Sequence, residues 1–304
     1  MQWTGVMPAI TTAFDEDLNV DHAFVARHAK WLVANGCGGI VCLGSLGESA
    51  TLAFDEKIAI VRTIVAAVSP GVPVVATVSA LSTAEAARIA QTAADAGAQG
   101  LMILPPYVYQ GDWRETRAHI ETVLRAAVLP AMLYNNPVAY GTDFTPAQIA
   151  ELADRSPNLA AVKESSTDVR RVTAIRTLTG DRLSIMIGVD DAIVEGIEAG
   201  AGGWVAGLVN ALPRESVDLF NLAIKGDKKN IFEFYRWFLP LLRMDTVPKF
   251  VQLIKQVQEE AGIGSASVRP PRLRVVGEEL AEMRSIFAHA VAHRPAVSRA
   301  SSAF

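Results

Sequence analysis

Eight short apolar segments, each followed by a polar turn or a helical segment, constrain the fold of this 304-residue chain more than any other feature. The apolar segments do not alternate with polar residues, as expected for strands that are covered on both faces of a parallel sheet. Eight such units at this length predict one (β/α)8 barrel, a TIM barrel. The predicted strands are residues 6–11, 39–43, 74–77, 100–104, 131–134, 159–163, 183–187 and 203–206.

The segments after the eighth strand predict a second part of the molecule. A doubly wound sheet is the alternative α/β arrangement, but no G-x-G-x-x-G follows the first strand. From about residue 226 the periodicity is only helical. We therefore predict a catalytic barrel over residues 1–225 and a C-terminal helical extension over residues 226–304, with a frayed tail from His293.

Charge and hydropathy exclude several classes of partner. The net charge is −4 and the isoelectric point is near 5.8, and no run of lysine and arginine is present, so we expect neither nucleic acid nor an anionic membrane as partner. No apolar run reaches the roughly 18 residues that span a bilayer, and the N-terminus lacks the pattern of a signal peptide. These features predict a cytoplasmic protein. Cys37 and Cys42 are expected to be packed thiols rather than a disulfide or zinc ligands.

Lys163 is the exceptional residue of the predicted sheet, because it closes the apolar strand in the sequence NLAAVKESS. Burial of an ammonium group costs several kcal/mol unless the group is paired or loses its proton. The other seven lysines lie in helical segments or their polar flanks. Either Lys163 is functional, or its side chain leaves the strand and extends to solvent. This segment alone leaves both alternatives open.

Active sites of (β/α)8 barrels lie at the C-terminal ends of the strands, and Tyr134 ends the strand before Lys163. A lysine desolvated by apolar walls can have its pKa lowered to roughly 7 to 8 and form an imine with a ketone. Tyr134 would then transfer protons, or else it is a packed side chain with a satisfied hydroxyl. The GSLGE turn at residues 44–48 offers backbone N–H groups and the Ser45 hydroxyl to a carboxylate, or is only a tight turn.

Two other kinds of site are less consistent with the sequence. Ser45 lacks the first glycine of G-x-S-x-G, because residue 43 is leucine, so it is a poor candidate for a hydrolase nucleophile. The five histidines fall in helical segments, away from the strand ends. Asp190 and Asp191 could bind a hard cation, but they favour the N-cap and first turn of helix seven. We predict no metal.

Three ordered motifs, GSLGE, YNNP and KESS, resemble the class I lyase family of dihydrodipicolinate synthase and N-acetylneuraminate lyase, and the resemblance runs from TGVMPAITT to VRPPRL. It implies that Lys163 is the Schiff-base lysine, with the covalent imine in place of a cofactor, and that Tyr134 transfers protons. It implies that Ser45 and the Leu46 backbone bind the carboxylate of a 2-oxo acid. It also implies a homo-oligomer, commonly a tetramer built as a dimer of dimers. The remaining candidate substrate-binding residues, at strand ends, are Gly44, Asn136, Gly188, Asp190 and Ala206.

Three positions depart from the pattern of the family's synthases. The second hydroxyl residue of the strand-two turn is replaced by Leu46, and the second tyrosine of the proton relay by Val108. The arginine that would hold the carboxylate of aspartate semialdehyde is replaced by Ala139. Loss of a bidentate carboxylate partner is not a neutral change. The departures therefore argue against lysine biosynthesis.

The strings YNNPVAYGTDF, KESSTDVRR, GVDD, GGWVAG and VRPPRL look most like the branch of the family that acts on 1-pyrroline-4-hydroxy-2-carboxylate in hydroxyproline degradation. That resemblance implies a deaminase that releases 2,5-dioxopentanoate and ammonia from this cyclic 2-imino acid. The alternatives are dihydrodipicolinate synthase or another pyruvate-dependent aldolase or dehydratase of the family. A non-catalytic protein that binds a 2-oxo acid as a regulator is a further alternative, and the presence of both Lys163 and Tyr134 argues against it.

Overall fold

Eight parallel strands form the centre of the molecule, and the computed structural model describes residues 1–295 of the chain. Most of the predicted frayed tail, residues 296–304, lies outside the described residues. The strand order is β1-β8-β7-β6-β5-β4-β3-β2, and Ala9 bridges to Val41 of β2, so the two edges meet. The predicted (β/α)8 barrel is therefore confirmed. The strands are β1 (Gly5–Pro8), β2 (Ile40–Cys42), β3 (Val74–Val78), β4 (Gly100–Ile103), β5 (Ala131–Asn135), β6 (Leu159–Glu164), β7 (Ser184–Ile187) and β8 (Gly203–Ala206).

Helices cover the outside of the strands, and further helices follow the barrel as a C-terminal part. Every residue of β2, β3, β4, β5 and β8 is buried, which explains why these strands show no alternation. The helices are α1 (His22–Ala34), α2 (Phe54–Val68), α3 (Thr83–Asp95), α4 (Trp113–Ala126), α5 (Pro137–Tyr140), α6 (Pro146–Arg155), α7 (Arg170–Thr179), α8 (Ile193–Glu198), α9 (Pro213–Lys225), α10 (Lys228–Leu242), α11 (Phe250–Glu260) and α12 (Gly277–Ala292).

The short helix α5 lies between β5 and α6 and was not predicted. Asn136 caps it by accepting a hydrogen bond from the Ala139 backbone N–H at 3.0 Å, and Pro137 occupies its first position. Gly141 ends the helix with a φ of 71°, a conformation that glycine adopts without strain. This single turn carries Tyr140 above the C-terminal end of the barrel.

The predicted role of Asp190 as an N-cap is wrong. Residues Asp190–Ala192 form one turn of 3-10 helix, and α8 begins only at Ile193, with no side-chain cap from Asp190. The Asp190 carboxylate instead accepts hydrogen bonds from Trp204 Nε1 at 2.9 Å and from the Leu208 backbone N–H at 2.7 Å. Trp204 of β8 and the backbone N–H groups just after this strand bind the carboxylate, because each of these donors would otherwise be unsatisfied.

The C-terminal part contacts the barrel at the end that carries the candidate site. Lys255 of α11 is buried and pairs with Glu48, the last residue of the GSLGE turn, at 2.8 Å. The Arg269 backbone N–H donates to the second Glu48 carboxylate oxygen at 3.0 Å. Residues Arg243–Thr246, between α10 and α11, form a 3-10 turn that packs against the Asp190–Ala192 turn. Within residues 1–295 no helix has both the length and the apolar character needed to cross a membrane.

Candidate active site

Lys163 lies inside the mouth of the barrel and does not extend to solvent. It sits near the end of β6, in register with Tyr134 of β5 and Met186 of β7, and is 6% exposed. Its Nζ atom is 4.1 Å from the centroid of the Tyr134 ring. The structure therefore excludes the second alternative, in which the Lys163 side chain extends to solvent.

The surroundings of Lys163 favour the neutral amine. Burial lowers the pKa of the Lys163 ammonium, because a charged group loses hydration inside the barrel. The acids Asp245 and Asp190 oppose this shift by favouring the charged form. A larger neutral fraction makes the lysine a better nucleophile towards a carbonyl carbon or an imine carbon.

Tyr134 presents its hydroxyl beside the amine. The side chain is 5% exposed, and the Asn136 amide donates a hydrogen bond to the phenol oxygen at 3.0 Å. Burial raises the pKa of Tyr134 to about 12, and the Asn136 amide with the neighbouring serine hydroxyls opposes that shift. Asn136, a candidate substrate-binding residue, thus orients Tyr134. Both residues are placed where the sequence predicted them.

Tyr140 is a site residue that the sequence analysis missed. Its hydroxyl forms a hydrogen bond with Ser45 Oγ, and its ring packs edge-on against Tyr134 with the centroids 5.8 Å apart. Burial raises the pKa of the Tyr140 hydroxyl. The sequence places this tyrosine three residues after the proline of YNNP. Its side chain turns inward only because these residues form helix α5, which was not predicted.

Gly188 leaves space for the side chains of Lys163 and Ser165. A methyl group at this position would lie 2.7 Å from Lys163 Cγ and would overlap Lys163 Cε and Ser165 Oγ. Ser165 faces the Tyr134 hydroxyl, but its own buried hydroxyl has no hydrogen-bond partner within residues 1–295. The structure thus brings Gly188 and Ser165 into contact with the lysine, and an unsatisfied donor faces the same space.

The GSLGE turn, which follows β2, lies across the barrel from Lys163, because β2 and β6 are opposite each other in the closed sheet. Leu46 is buried in the core, at 3% exposure, so only its backbone is suited to contact a ligand. A Cβ on Gly44 would meet no atom closer than 3.8 Å, so the residue is not crowded. Carboxylate binding by this turn stays a prediction.

Asp245 is the second residue that the sequence analysis missed. It comes from the Arg243–Thr246 turn of the C-terminal part and lies against Gly207, directly after Ala206 at the end of β8. Asp190, a candidate substrate-binding residue, is fully buried, and its carboxylate is held by the three donors of Trp204, Gly207 and Leu208. Burial raises the pKa of Asp190 to about 6.

Two polar residues of the motifs brace the loops instead of facing the mouth. The Asn135 amide donates to Glu164 Oε2 at 3.1 Å, and its carbonyl oxygen accepts from the Phe144 backbone N–H at 3.0 Å. Glu164 accepts from the Ser166 backbone N–H at 2.7 Å. These contacts fix the ends of β5 and β6 relative to each other. Within residues 1–295 no cluster of three or more His, Cys, Asp or Glu side chains could hold a metal ion.

Comparison with known proteins assigns the chain to a family. The model of the dihydrodipicolinate synthetase family matches residues 2–290. A 4-hydroxy-tetrahydrodipicolinate synthase from Natronomonas pharaonis is 32% identical over 287 residues, which cover 94% of this chain and 97% of that protein. Another from Methanothrix thermoacetophila is 31% identical over 283 residues, covering 93% and 95%.

Solved structures agree with this assignment. A putative dihydrodipicolinate synthetase from Pseudomonas aeruginosa superposes with a TM-score of 0.90 at 28% identity, covering 95% of this chain and 100% of that one. A prophage protein of the dihydrodipicolinic acid synthase family from E. coli K12, solved in complex with pyruvate, gives a TM-score of 0.90 at 27% identity, covering 96% and 99%. The chain therefore belongs to the dihydrodipicolinate synthetase family and is a class I lyase.

Proposed function

We propose that this lyase is a 1-pyrroline-4-hydroxy-2-carboxylate deaminase. One observation carries the proposal: Lys163, Tyr134 and Ser45 are assembled in one mouth, but the position expected for a carboxylate-binding arginine holds Ala139, on an exposed turn. A substrate with a single carboxylate needs no such arginine. The Ser45 turn would hold that carboxylate, opposite the lysine.

The reaction we propose begins with the imine carbon of the substrate. The Lys163 amine adds at C2, and the ring opens as the ring nitrogen leaves C2 and becomes a primary amine at C5. Loss of a C3 proton then gives an enamine, which expels the 4-hydroxyl as water. Migration of the new double bond yields an imine at C5, and two waters hydrolyse the imines at C2 and C5. The net change is uptake of one water and release of ammonia and 2,5-dioxopentanoate.

Tyr140 takes the place of the missing relay tyrosine in this proposal. The sequence has Val108 where the family's synthases have a second tyrosine, and Val108 is 75% exposed. Tyr140 reaches the same serine from helix α5, since its hydroxyl hydrogen bonds to Ser45. The proposed relay carries protons between the substrate and the exterior through Tyr134, Ser45 and Tyr140. All three residues belong to the same chain.

Dihydrodipicolinate synthase is the second candidate, and the names of the relatives favour it. This reaction would require a pocket for the second carboxylate, that of aspartate semialdehyde. Lack of the arginine removes charged hydrogen bonds worth about 1.5 to 3 kcal/mol, which is roughly one to two decades in kcat/KM. We therefore expect this chain to be a weak synthase.

The deciding experiment measures both reactions with one preparation. We expect ammonia release from 1-pyrroline-4-hydroxy-2-carboxylate with kcat/KM of about 10³ M⁻¹s⁻¹ or more, and much slower condensation of pyruvate with aspartate semialdehyde. Lys163→Ala is the control: it should abolish both reactions and the borohydride-trapped pyruvate adduct. Efficient condensation without ammonia release would return the chain to the synthase branch. Equal adduct yield on Lys163→Ala would instead refute the Schiff base and favour a regulator.

Assembly and location are part of the same proposal. We propose a homotetramer in the cytoplasm that needs no partner other than its small 2-oxo or 2-imino acid substrate. The oligomeric habit of the family supports the first point, although one structural relative is described as a monomeric variant. Sedimentation velocity at micromolar protein would test it, and a monomer at all concentrations would contradict it.

A further inference from the structure

Asp245 is an acid that enters the barrel mouth from outside the barrel. It lies in the Arg243–Thr246 turn, which is anchored by the buried side chains of Leu242 and Met244. Its carboxylate rests on the backbone of Gly207, where a methyl group would lie 2.7 Å from Asp245 Cγ and would overlap Oδ1. Gly207 thus provides the space that lets the carboxyl group approach the lysine.

The Asp245 carboxyl group has no structural partner among the described residues. Within residues 1–295 it accepts no hydrogen bond and pairs with no cation, although Asp190 beside it accepts hydrogen bonds from three groups. The residue is half-buried, so a carboxyl group without a partner is open to a ligand at this place. Among the charged groups that act on Lys163, Asp245 has the largest effect. Its free oxygens are therefore available to a substrate bound to Lys163.

Asp245 and Tyr134 flank the lysine from opposite sides. Lys163 lies on β6, Tyr134 on the neighbouring strand β5, and Gly207 follows β8, which β7 separates from β6 on the other side. An elimination that removes a proton at C3 and expels a hydroxyl at C4 is served by two groups, one to take the proton and one to give one. The barrel mouth contains such a pair.

We propose that Asp245 is a catalytic residue that protonates the 4-hydroxyl group as this group leaves the lysine-bound substrate. The inference rests on the proposed deaminase function. The enamine electron pair forms the C3–C4 double bond while the C4–O bond breaks. The leaving oxygen takes the Asp245 proton and departs as water, and the carboxylate regains a proton from water in the mouth. No oxidant, reductant or further reactant is needed.

Two properties of the site fit this role. Burial raises the pKa of the Asp245 carboxyl well above its ordinary value, Asp190 and Asp191 reinforce the shift and Lys163 opposes it, so the protonated form is favoured relative to an exposed aspartate. The ring-opened intermediate carries an amine at C5, next to the leaving hydroxyl. A carboxyl group can accept a hydrogen bond from this distal amine, whereas an arginine, which has only donors, suits a distal carboxylate.

The test separates elimination from imine formation. Asp245→Asn keeps the shape of the side chain but removes its acid. We expect ammonia release from 1-pyrroline-4-hydroxy-2-carboxylate to fall by about 10² to 10⁴. Borohydride trapping of pyruvate and exchange of its methyl protons in deuterated water should change by less than about tenfold, because pyruvate has no leaving group. The trapped substrate adduct of the variant should retain the hydroxyl oxygen.

Asp181→Asn is the matched control, because it makes the same change to a fully exposed carboxylate that pairs with Arg176 at 3.1 Å in the loop before β7. It should keep ammonia release within about threefold of the wild type. Wild-type ammonia release by Asp245→Asn would overturn the role of Asp245 alone. Equal loss of trapping, exchange and ammonia release would make Asp245 structural and also overturn the proposal. Absence of ammonia release from the wild type would refute the deaminase itself.

Discussion

The proposed reactivity of the Lys163 amine depends on its neighbours, because burial among them favours the uncharged, nucleophilic form. Burial removes hydration from the ammonium group, and glycine at position 188 leaves room for the aliphatic part of the side chain. Ser165 and Tyr134 present hydroxyls to the same space. The reactivity of the lysine is thus a property of its neighbours, which single substitutions can test.

An alanine at position 188 would fill the space beside Lys163. Gly188→Ala would place a methyl group against Lys163 Cε and Ser165 Oγ, so the amine must move. Misplacement of a reacting group by about 1 Å can cost about 10² in rate, and we expect a loss of that size in pyruvate trapping with borohydride, read by intact mass. Gly202→Ala is the control, because its added methyl group meets no atom within 4 Å. Equal trapping by both variants would show that the lysine tolerates the methyl group.

Replacement of either relay tyrosine by phenylalanine should lower turnover far more than the same replacement of an exposed tyrosine. Tyr134→Phe and Tyr140→Phe each remove a hydroxyl from the chain that includes Ser45, and each should lower turnover by about 10² to 10⁴ while some imine trapping remains. Tyr109→Phe is the control, since Tyr109 is 60% exposed and its hydroxyl contacts Glu115. Wild-type turnover of Tyr140→Phe would leave that hydroxyl a structural role only.

The pH dependence of trapping follows from the pKa of Lys163. Only the neutral amine attacks, so the initial rate of imine formation should rise with pH through this pKa. Because burial lowers the pKa, the rise should be half complete below 10.5, the ordinary value for lysine. Asp245, Asp190 and Tyr140 face the amine and act against the shift. A midpoint at or above 10.5 would show that these groups outweigh burial.

At the scale of elements, helix α11 is tied to the strand-two turn by a buried ion pair. Lys255 and Glu48 have side chains that are 2% and 0% exposed, and Lys255 also donates to the Thr12 carbonyl at 2.9 Å. Because the turn carries Ser45, this contact links the C-terminal part to the candidate carboxylate site. Removal of one partner leaves the other charge buried and unpaired.

Lys255→Met should therefore destabilise the protein by about 3 to 5 kcal/mol in urea unfolding. Lys249→Met, in which an exposed pair with Glu279 is lost, should change stability by about 1 kcal/mol or less. If the two variants unfold at the same urea concentration, the Lys255 pair does not stabilise the fold. A fall in substrate affinity of Lys255→Met at low urea would further connect this helix to the turn.

At the scale of the whole molecule, the features that could be predicted from the sequence are those that depend on a local pattern of residues. Strand β8 matches its predicted bounds, and Lys163 and Tyr134 lie side by side because neighbouring parallel strands bring their ends together. Helix α5 was missed because a single turn after a proline leaves no periodicity. Asp245 was missed because its neighbours, Gly207 and Lys163, are far away in sequence. Contacts between distant segments have no local signature.

The turn that carries Asp245 is synthesised after the whole barrel. N-terminal parts of a chain emerge and begin to fold first, so the eight strands leave the ribosome before the turn that carries Asp245. Imine chemistry and the proposed acid are thus encoded in separate stretches of the gene. Under the proposed role of Asp245, adaptation to another leaving group would require mutation of this turn and of no strand. In such a lineage, the diversification of reactions would be recorded after the barrel, in the part of the chain that packs over its mouth.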